Sequence, residues 1–198
     1  MTGARLRGLL LVATVVVAGL ALLAWSQSWF TLQLGASAGD PQPLEVRGDV
    51  AAGALAPLAL AVLAIVAALA LAGPGFRTVF GALEALLGVC VILVAVVSLG
   101  DPVAASAHAV TDATGIAGAD SVAALVDTVA VTVWPAVAIL AGALTVVVGA
   151  FIAASARRWP VSGRKYSRTR TVAADAAAGS GDAVSEWDAL SEGDDPTR

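Results

Sequence analysis

The sequence is poor in the residues from which catalytic and metal sites are usually built. Among 198 residues it has one cysteine, Cys90, one histidine, His108, and only 13% charged residues. A single cysteine excludes a disulfide framework and a CxxC metal site, and a single histidine excludes a histidine cluster. No nucleophile–base pair or metal set can be assembled, so neither an enzyme nor a cofactor is expected.

What the sequence has instead is hydrophobic residues, which make up 59% of the chain and give it a mean hydropathy of +0.88. These values are typical of a membrane protein. Four apolar runs of about 19–24 residues are each long enough to cross a hydrocarbon core of about 30 Å as a helix. We predict an all-α membrane protein, a four-transmembrane-helix bundle (residues 1–156), with spans near Gly8–Ser26, Ala51–Ala72, Thr78–Leu99 and Val131–Ala154.

The ends of the spans carry features that are typical of a membrane interface. Trp25, Trp29 and Trp134 lie near span ends, where amphipathic aromatic rings are favoured. Gly73-Pro74-Gly75 predicts a tight turn between the second and third spans.

Lysine and arginine predict the orientation of the spans. Basic residues precede the first span, occupy the turn after the second and follow the fourth, whereas residues 27–50 and 100–130 hold only Arg47. The positive-inside rule then predicts both termini in the cytoplasm and two acidic loops outside. An alternative is that the first apolar run is a cleaved secretory signal, which leaves the orientation of the other spans unchanged.

The outer loops show short-range patterns. Phe30, Leu32 and Leu34 alternate with polar residues, and residues 43–49 alternate more weakly, so a small β-hairpin is predicted in the first loop. In the second loop, apolar residues from Val122 to Val133 recur at helical spacing after Asp120 and Ser121, two candidate caps, and predict a helix that runs into the fourth span. His108 and Asp112 are four residues apart, but two ligands are too few for a metal site.

One charged residue, Glu84, falls well inside a predicted span. It lies seven residues after Arg77, about 10 Å along a helix, on a stripe with Gly81, Ala85 and Gly88. Small residues let a second helix approach closely, so Glu84 is expected to face protein rather than lipid. Two interpretations stay open: a carboxyl that binds protons or substrate, or a structural carboxyl bonded to Arg77 or to a hydroxyl such as that of Thr14 or Thr145.

The last 42 residues, 157–198, are predicted to be a disordered cytoplasmic tail with two contrasting parts. The first part, residues 157–170, has six basic residues and no acid, so it is predicted to bind the membrane surface, with the anchors Arg157, Arg158, Trp159, Arg164 and Lys165. After a linker rich in alanine and glycine, residues 185–197 hold five acids and an aromatic ring. This peptide could dock on a partner through Glu186, Trp187, Asp188 and Leu190, or be an acidic tail with an incidental tryptophan.

Several short motifs together resemble a known family. They are Trp25 and Trp29 at the end of the first span, Asp101-Pro102, Trp134-Pro135, Arg157–Pro160, Arg164–Tyr166, Trp187–Leu190 and Glu192–Thr197. In these the chain resembles the tryptophan-biosynthesis-associated (Trp-operon-associated) transmembrane proteins of actinobacteria over nearly its whole length, departing from the family's tail at Ser191 and Glu192. The resemblance implies an association with tryptophan biosynthesis but no catalytic residues.

Three functional hypotheses follow. The first is a non-enzymatic, multi-pass adaptor of the plasma membrane that recruits a cytosolic protein through its tail. The second is a small proton-coupled transporter or exporter of tryptophan or an aromatic precursor, which would use Glu84. The third is an envelope sensor or structural protein that uses its outer loops. The lipid bilayer is the expected partner, a homo-oligomer stays open, and no nucleic-acid partner is predicted.

Overall fold

The computed structural model describes residues 3–35 and 43–155. Four long helices follow the apolar runs: α1 (Gly3–Ser26), α3 (Leu55–Leu71), α4 (Pro74–Gly100) and α8 (Trp134–Ser155). The shorter elements are β1 (Ser28–Leu34), β2 (Leu44–Arg47), α2 (Gly48–Ala51), α5 (Pro102–Ala105), α6 (Ala107–Thr114), α7 (Ala119–Leu125) and β3 (Val126–Val131).

Three of the long helices have the length and composition to span a membrane. Within α1, α4 and α8 the apolar segments have mean hydropathies of 2.5, 2.7 and 2.5, and only about a third of each is buried inside the protein. The rest of their surface is largely apolar, including exposed Leu86 and Leu93 on α4. A surface of that kind is stable against lipid rather than water, so this is a membrane protein.

The prediction of four spans is not confirmed. The predicted span Ala51–Ala72 is interrupted by a turn at residues 52–54, and α3 has 17 residues, a rise of about 26 Å. The interruption has a local cause, because Pro57 has no N–H to donate to a carbonyl four residues earlier and is accepted only in the first turn of a helix. The helix α3 therefore starts just before Pro57, at Leu55.

The two ends of the bundle differ. At one end, called the turn end, α1 begins, α3 passes into α4 and α8 finishes; Leu10, Leu69 and Ile152 pack together there. Arg7 Nη2 donates to the Ala70 carbonyl at 2.6 Å, so the start of α1 is tied to the last turn of α3. The opposite end, called the sheet end, carries the three strands and the short helices of the described residues.

The predicted hairpin is confirmed as part of a three-stranded antiparallel sheet with the order β2-β1-β3. Strand β1 pairs with β2 through Phe30↔Val46 and Leu32↔Leu44. The side chains of Phe30, Leu32 and Val46 are buried, and they join the main apolar core with Leu55. The hairpin thus rests on the helix ends, which supply the support that an isolated hairpin lacks.

The helix predicted to run from Asp120 into the fourth span is wrong over most of its length. Only Ala119–Leu125 is helical, and Val126–Val131 forms β3, which pairs with β1 through Phe30↔Val131 and Leu32↔Val129. The β-branched residues of this segment suit a strand, and the partner strand lies about a hundred residues earlier. Asp120 and Ser121 are not caps either, since the residue before α7 is Gly118, which has a φ of 107°.

Trp29 has a different role from the interfacial anchor that the sequence predicted. Its side chain is fully buried and its Nε1 donates to the Ala24 carbonyl at 2.8 Å. Gly48 makes room for this ring, because a Cβ atom added at Gly48 would lie 2.6 Å from Trp29 Nε1. Trp29 therefore fastens β1 onto the end of α1.

Candidate functional site

The carboxyl of Glu84 lies on α4, in the interior of the helix bundle. The residue is 0% exposed, and its Oε1 accepts a hydrogen bond from Thr14 Oγ1 on α1 at 2.9 Å. The prediction that Glu84 faces protein is therefore confirmed, and Thr14 is one of the three partners that the sequence suggested. The same hydroxyl lies 3.0 Å from the Leu10 carbonyl, so its single hydrogen is shared between two acceptors.

The other oxygen of this carboxyl is less well satisfied. Among the described residues, Glu84 Oε2 is buried without a hydrogen-bond partner. Thr145, the second hydroxyl suggested by the sequence, is buried on α8 and donates instead to the Ala141 carbonyl at 2.8 Å. The site is therefore a carboxyl–hydroxyl pair that links α1 to α4.

Beside Glu84, α4 and α8 pack with their backbones almost in contact. A Cβ atom added at Gly149 would lie 2.5 Å from the Ala85 nitrogen and 2.6 Å from the Gly81 oxygen. One added at Gly88 would lie 2.7 Å from the Val146 nitrogen and 2.8 Å from the Gly142 oxygen. Each helix supplies two glycines seven residues apart, the close packing of small residues that membrane helices use.

The carboxyl of Glu84 and the hydroxyl of Thr14 provide hydrogen-bonding groups in this part of the bundle. No cluster of three or more His, Cys, Asp or Glu side chains suited to a metal occurs within residues 3–35 and 43–155. His108 and Asp112 are both exposed on α6. Cys90, a free cysteine, lies partly buried in the middle of α4.

The tail residues that the sequence singled out fall outside the described part of the chain. These are the candidate membrane-surface anchors and the candidate docking residues, namely Arg157, Arg158, Trp159, Arg164, Lys165, Glu186, Trp187, Asp188 and Leu190. Their roles stay predictions.

Sequence reasoning missed a cleft of about 740 Å³ at the sheet end, between α5, α6 and α7. Its polar lining consists of Asp101, His108, Thr111 and Asp120. The signals that could have indicated it are turn residues: Gly115, with a φ of 73°, directly follows α6, and Gly118 directly precedes α7. These two glycines reverse the chain so that α7 faces α5 and α6.

Comparison with models of protein families matches residues 11–197 to a family described as tryptophan-associated transmembrane protein. Comparisons with curated proteins and with solved structures gave no match. The matched range contains α3, α4, α8, the sheet and the tail as far as Thr197. The description agrees with the apolar, lipid-facing helices and with the resemblance carried by the short motifs. The chain belongs to the tryptophan-associated transmembrane protein family.

Proposed function

We propose that this protein is a non-enzymatic adaptor of the plasma membrane, associated with tryptophan biosynthesis, that recruits a cytosolic protein through its C-terminal tail. The observation that carries the proposal is the position of the end of α8. This helix finishes at Ser155, at the same end of the bundle as Arg7 and Arg77. The sequence continues directly into the basic segment 157–170 and then into the acidic peptide 185–197.

The distribution of charge supports a cytoplasmic turn end. Arg5, Arg7 and Arg77 belong to this end, whereas the chain between α4 and α8 has four aspartates and no lysine or arginine. Under the positive-inside rule the basic end faces the cytoplasm. Although α3 is short, it runs from the core at the sheet end, through Leu55, to Leu69 at the turn end. With α3 counted as a fourth pass, the number of passes is even, so both termini lie on the same side of the membrane.

The composition of the tail supports a protein target for residues 185–197. The six bases of residues 157–170 favour anionic headgroups, but the five acids of residues 185–197 oppose binding to the same negative surface. Trp187 and Leu190, three residues apart, would share one face of a short helix. A peptide of this length does not hold a helix alone, so we expect it to order on a partner with Trp187 as the anchor.

A transporter of tryptophan or a precursor is less well supported by the geometry. Transport sites in membranes are typically built on broken helices that line a cavity. Here α4 is continuous through Glu84, which is fully buried and bonded to Thr14, and the neighbouring contact with α8 is closed by glycines. These features favour a structural carboxyl.

The adaptor is tested by affinity purification of the full-length protein from native membranes. The wild type is compared with a double variant, Trp187→Ala with Leu190→Ala, which keeps every charge of the tail. The adaptor predicts a cytosolic protein that co-purifies with the wild type and is strongly depleted with the variant, since losing an anchor of this kind typically costs about 2 kcal/mol or more, about 30-fold in affinity.

A matched control is Asp194→Asn with Asp195→Asn, which removes two acids and leaves Trp187 and Leu190 in place. This variant should retain most of the bound protein. If the wild type and the Trp187/Leu190 variant retain the same proteins, or neither retains any, the tail is not a docking peptide and the adaptor function is rejected.

A further inference from the structure

The cleft at the sheet end has the dimensions and lining of a small-molecule site. Its volume of about 740 Å³ falls within the range of about 300–1,000 Å³ that ligand pockets occupy. The lining includes Val122, which is buried, and Val103, which packs against the main core. The remaining apolar lining consists of five alanines and one glycine. Such short side chains leave room for an apolar ligand body.

The charged groups that line the cleft are acidic. Asp101 and Asp120 are carboxylates, while His108 and Thr111 can donate or accept hydrogen bonds. No lysine or arginine is present among the described residues that line it. Asp101 is held in position at the start of α5, where its Oδ1 accepts from the Ala104 nitrogen at 2.9 Å. The two carboxylates therefore favour a positively charged ligand, and the described lining has no cationic side chain that could pair with an anionic ligand.

A bare metal ion is a poor match for this cleft. The described residues contain no group of three or more His, Cys, Asp or Glu side chains that could hold a metal ion, although the cleft has two aspartates and a histidine in its lining. Divalent cations need several such ligands converging on one point. A ligand that bridges separated polar groups and fills the space between alanines must be larger than an ion.

We propose that this cleft binds an organic amine, a ligand with a positively charged nitrogen and an apolar body, with Asp120 as the carboxylate that receives the nitrogen. Asp120 lies in the first turn of α7, and both α7 and α6 contribute to the cleft. All the residues that line the cleft lie between Asp101 and Ala123 in the sequence, so the site gives the sheet end a binding function beyond the proposed adaptor role.

The test uses the purified full-length protein in nanodiscs and three probes with the same ring. They are 2-phenylethylamine, a cation, phenylalanine, a zwitterion, and 3-phenylpropionate, an anion. Binding is followed by saturation-transfer NMR and by titration. The amine should bind saturably and most tightly of the three. Asp120→Asn should weaken its binding by about threefold or more, the effect of a partly exposed charge pair.

The matched control is Asp112→Asn, which removes an exposed carboxylate from α6 that does not line the cleft, and its affinity for the amine should equal that of the wild type. Equal unfolding transitions of both variants exclude misfolding. The proposal is overturned if the amine does not saturate, if phenylalanine or 3-phenylpropionate binds more tightly than the amine, or if the two variants weaken binding equally. None of these outcomes depends on whether residues 185–197 bind a protein.

Discussion

Thr14 and Glu84 join two membrane helices through a buried hydrogen bond of 2.9 Å. They are separated by 70 residues, and both side chains are fully buried. In a low-dielectric interior such a bond is costly to lose, because the remaining polar atom cannot turn to water. The pair therefore connects α1 with α4 across the bundle, although the two helices pack mainly on α3 and α8.

Thr14→Val is expected to lower the free energy of unfolding by about 1–2 kcal/mol, because it preserves the shape of the side chain and leaves Glu84 Oε1 without its partner. The measurement is an SDS titration of the purified protein in mixed micelles. Thr145→Val is the control, since that hydroxyl is also buried but, within the described part of the chain, donates to the Ala141 carbonyl of its own helix. A loss at Thr145 as large as that at Thr14 would contradict an interhelical role for the bond.

Glu84→Gln separates the structural interpretation of the carboxyl from the transport interpretation. The amide oxygen of glutamine can still accept from Thr14, so we expect normal insertion and protein level with little change in unfolding. Flux of labelled tryptophan and of its precursors, measured in intact cells, should equal that of the wild type. Loss of flux at unchanged protein level would show that the structural interpretation is wrong and would support the transporter hypothesis.

The membrane helices could be predicted from the sequence because hydropathy is a local property. Each long helix coincides with an apolar run, and even the protein-facing position of Glu84 followed from Gly81 and Gly88 on the same stripe. The close contact of α4 with α8 depends on the same small residues. The second apolar run is not confirmed as a span, because Pro57 and the turn before it shorten α3.

The sheet end was harder to predict because its contacts join distant parts of the chain. Val126 and Val129 lie at helical spacing after Val122, and only pairing with β1 about a hundred residues away makes this segment a strand. The cleft likewise exists only once α5, α6 and α7 are packed together. Trp29 appeared to mark an interface, but its burial depends on Gly48 after the hairpin.

Gly149→Ala is expected to separate α4 from α8 and to destabilise the protein by about 1–3 kcal/mol, because the added methyl group meets rigid backbone atoms of α4. The free energy of unfolding in mixed micelles again provides the measurement. Gly19→Ala on α1 is the matched control, since a Cβ atom there has no neighbour within 4 Å. It should be neutral or stabilising by up to about 1 kcal/mol, from helix propensity. Equal effects at the two glycines would argue against the close contact.

The orientation of the bundle can be tested with two single cysteines at opposite ends, in a Cys90→Ala background that removes the native thiol. Ala117→Cys lies on the exposed loop between α6 and α7, and Gly73→Cys lies in the exposed turn between α3 and α4, where a Cβ atom has no neighbour within 4 Å. Because the positive-inside rule predicts a cytoplasmic turn end from Arg5, Arg7 and Arg77, a membrane-impermeant maleimide should label only Ala117→Cys in intact cells. Both should be labelled after the membrane is permeabilised.

A third variant, Ser180→Cys in the tail, should behave like Gly73→Cys. Labelling of Gly73→Cys but not Ala117→Cys in intact cells would show the opposite orientation, with the sheet end in the cytoplasm, and would exclude a cytosolic partner for the tail.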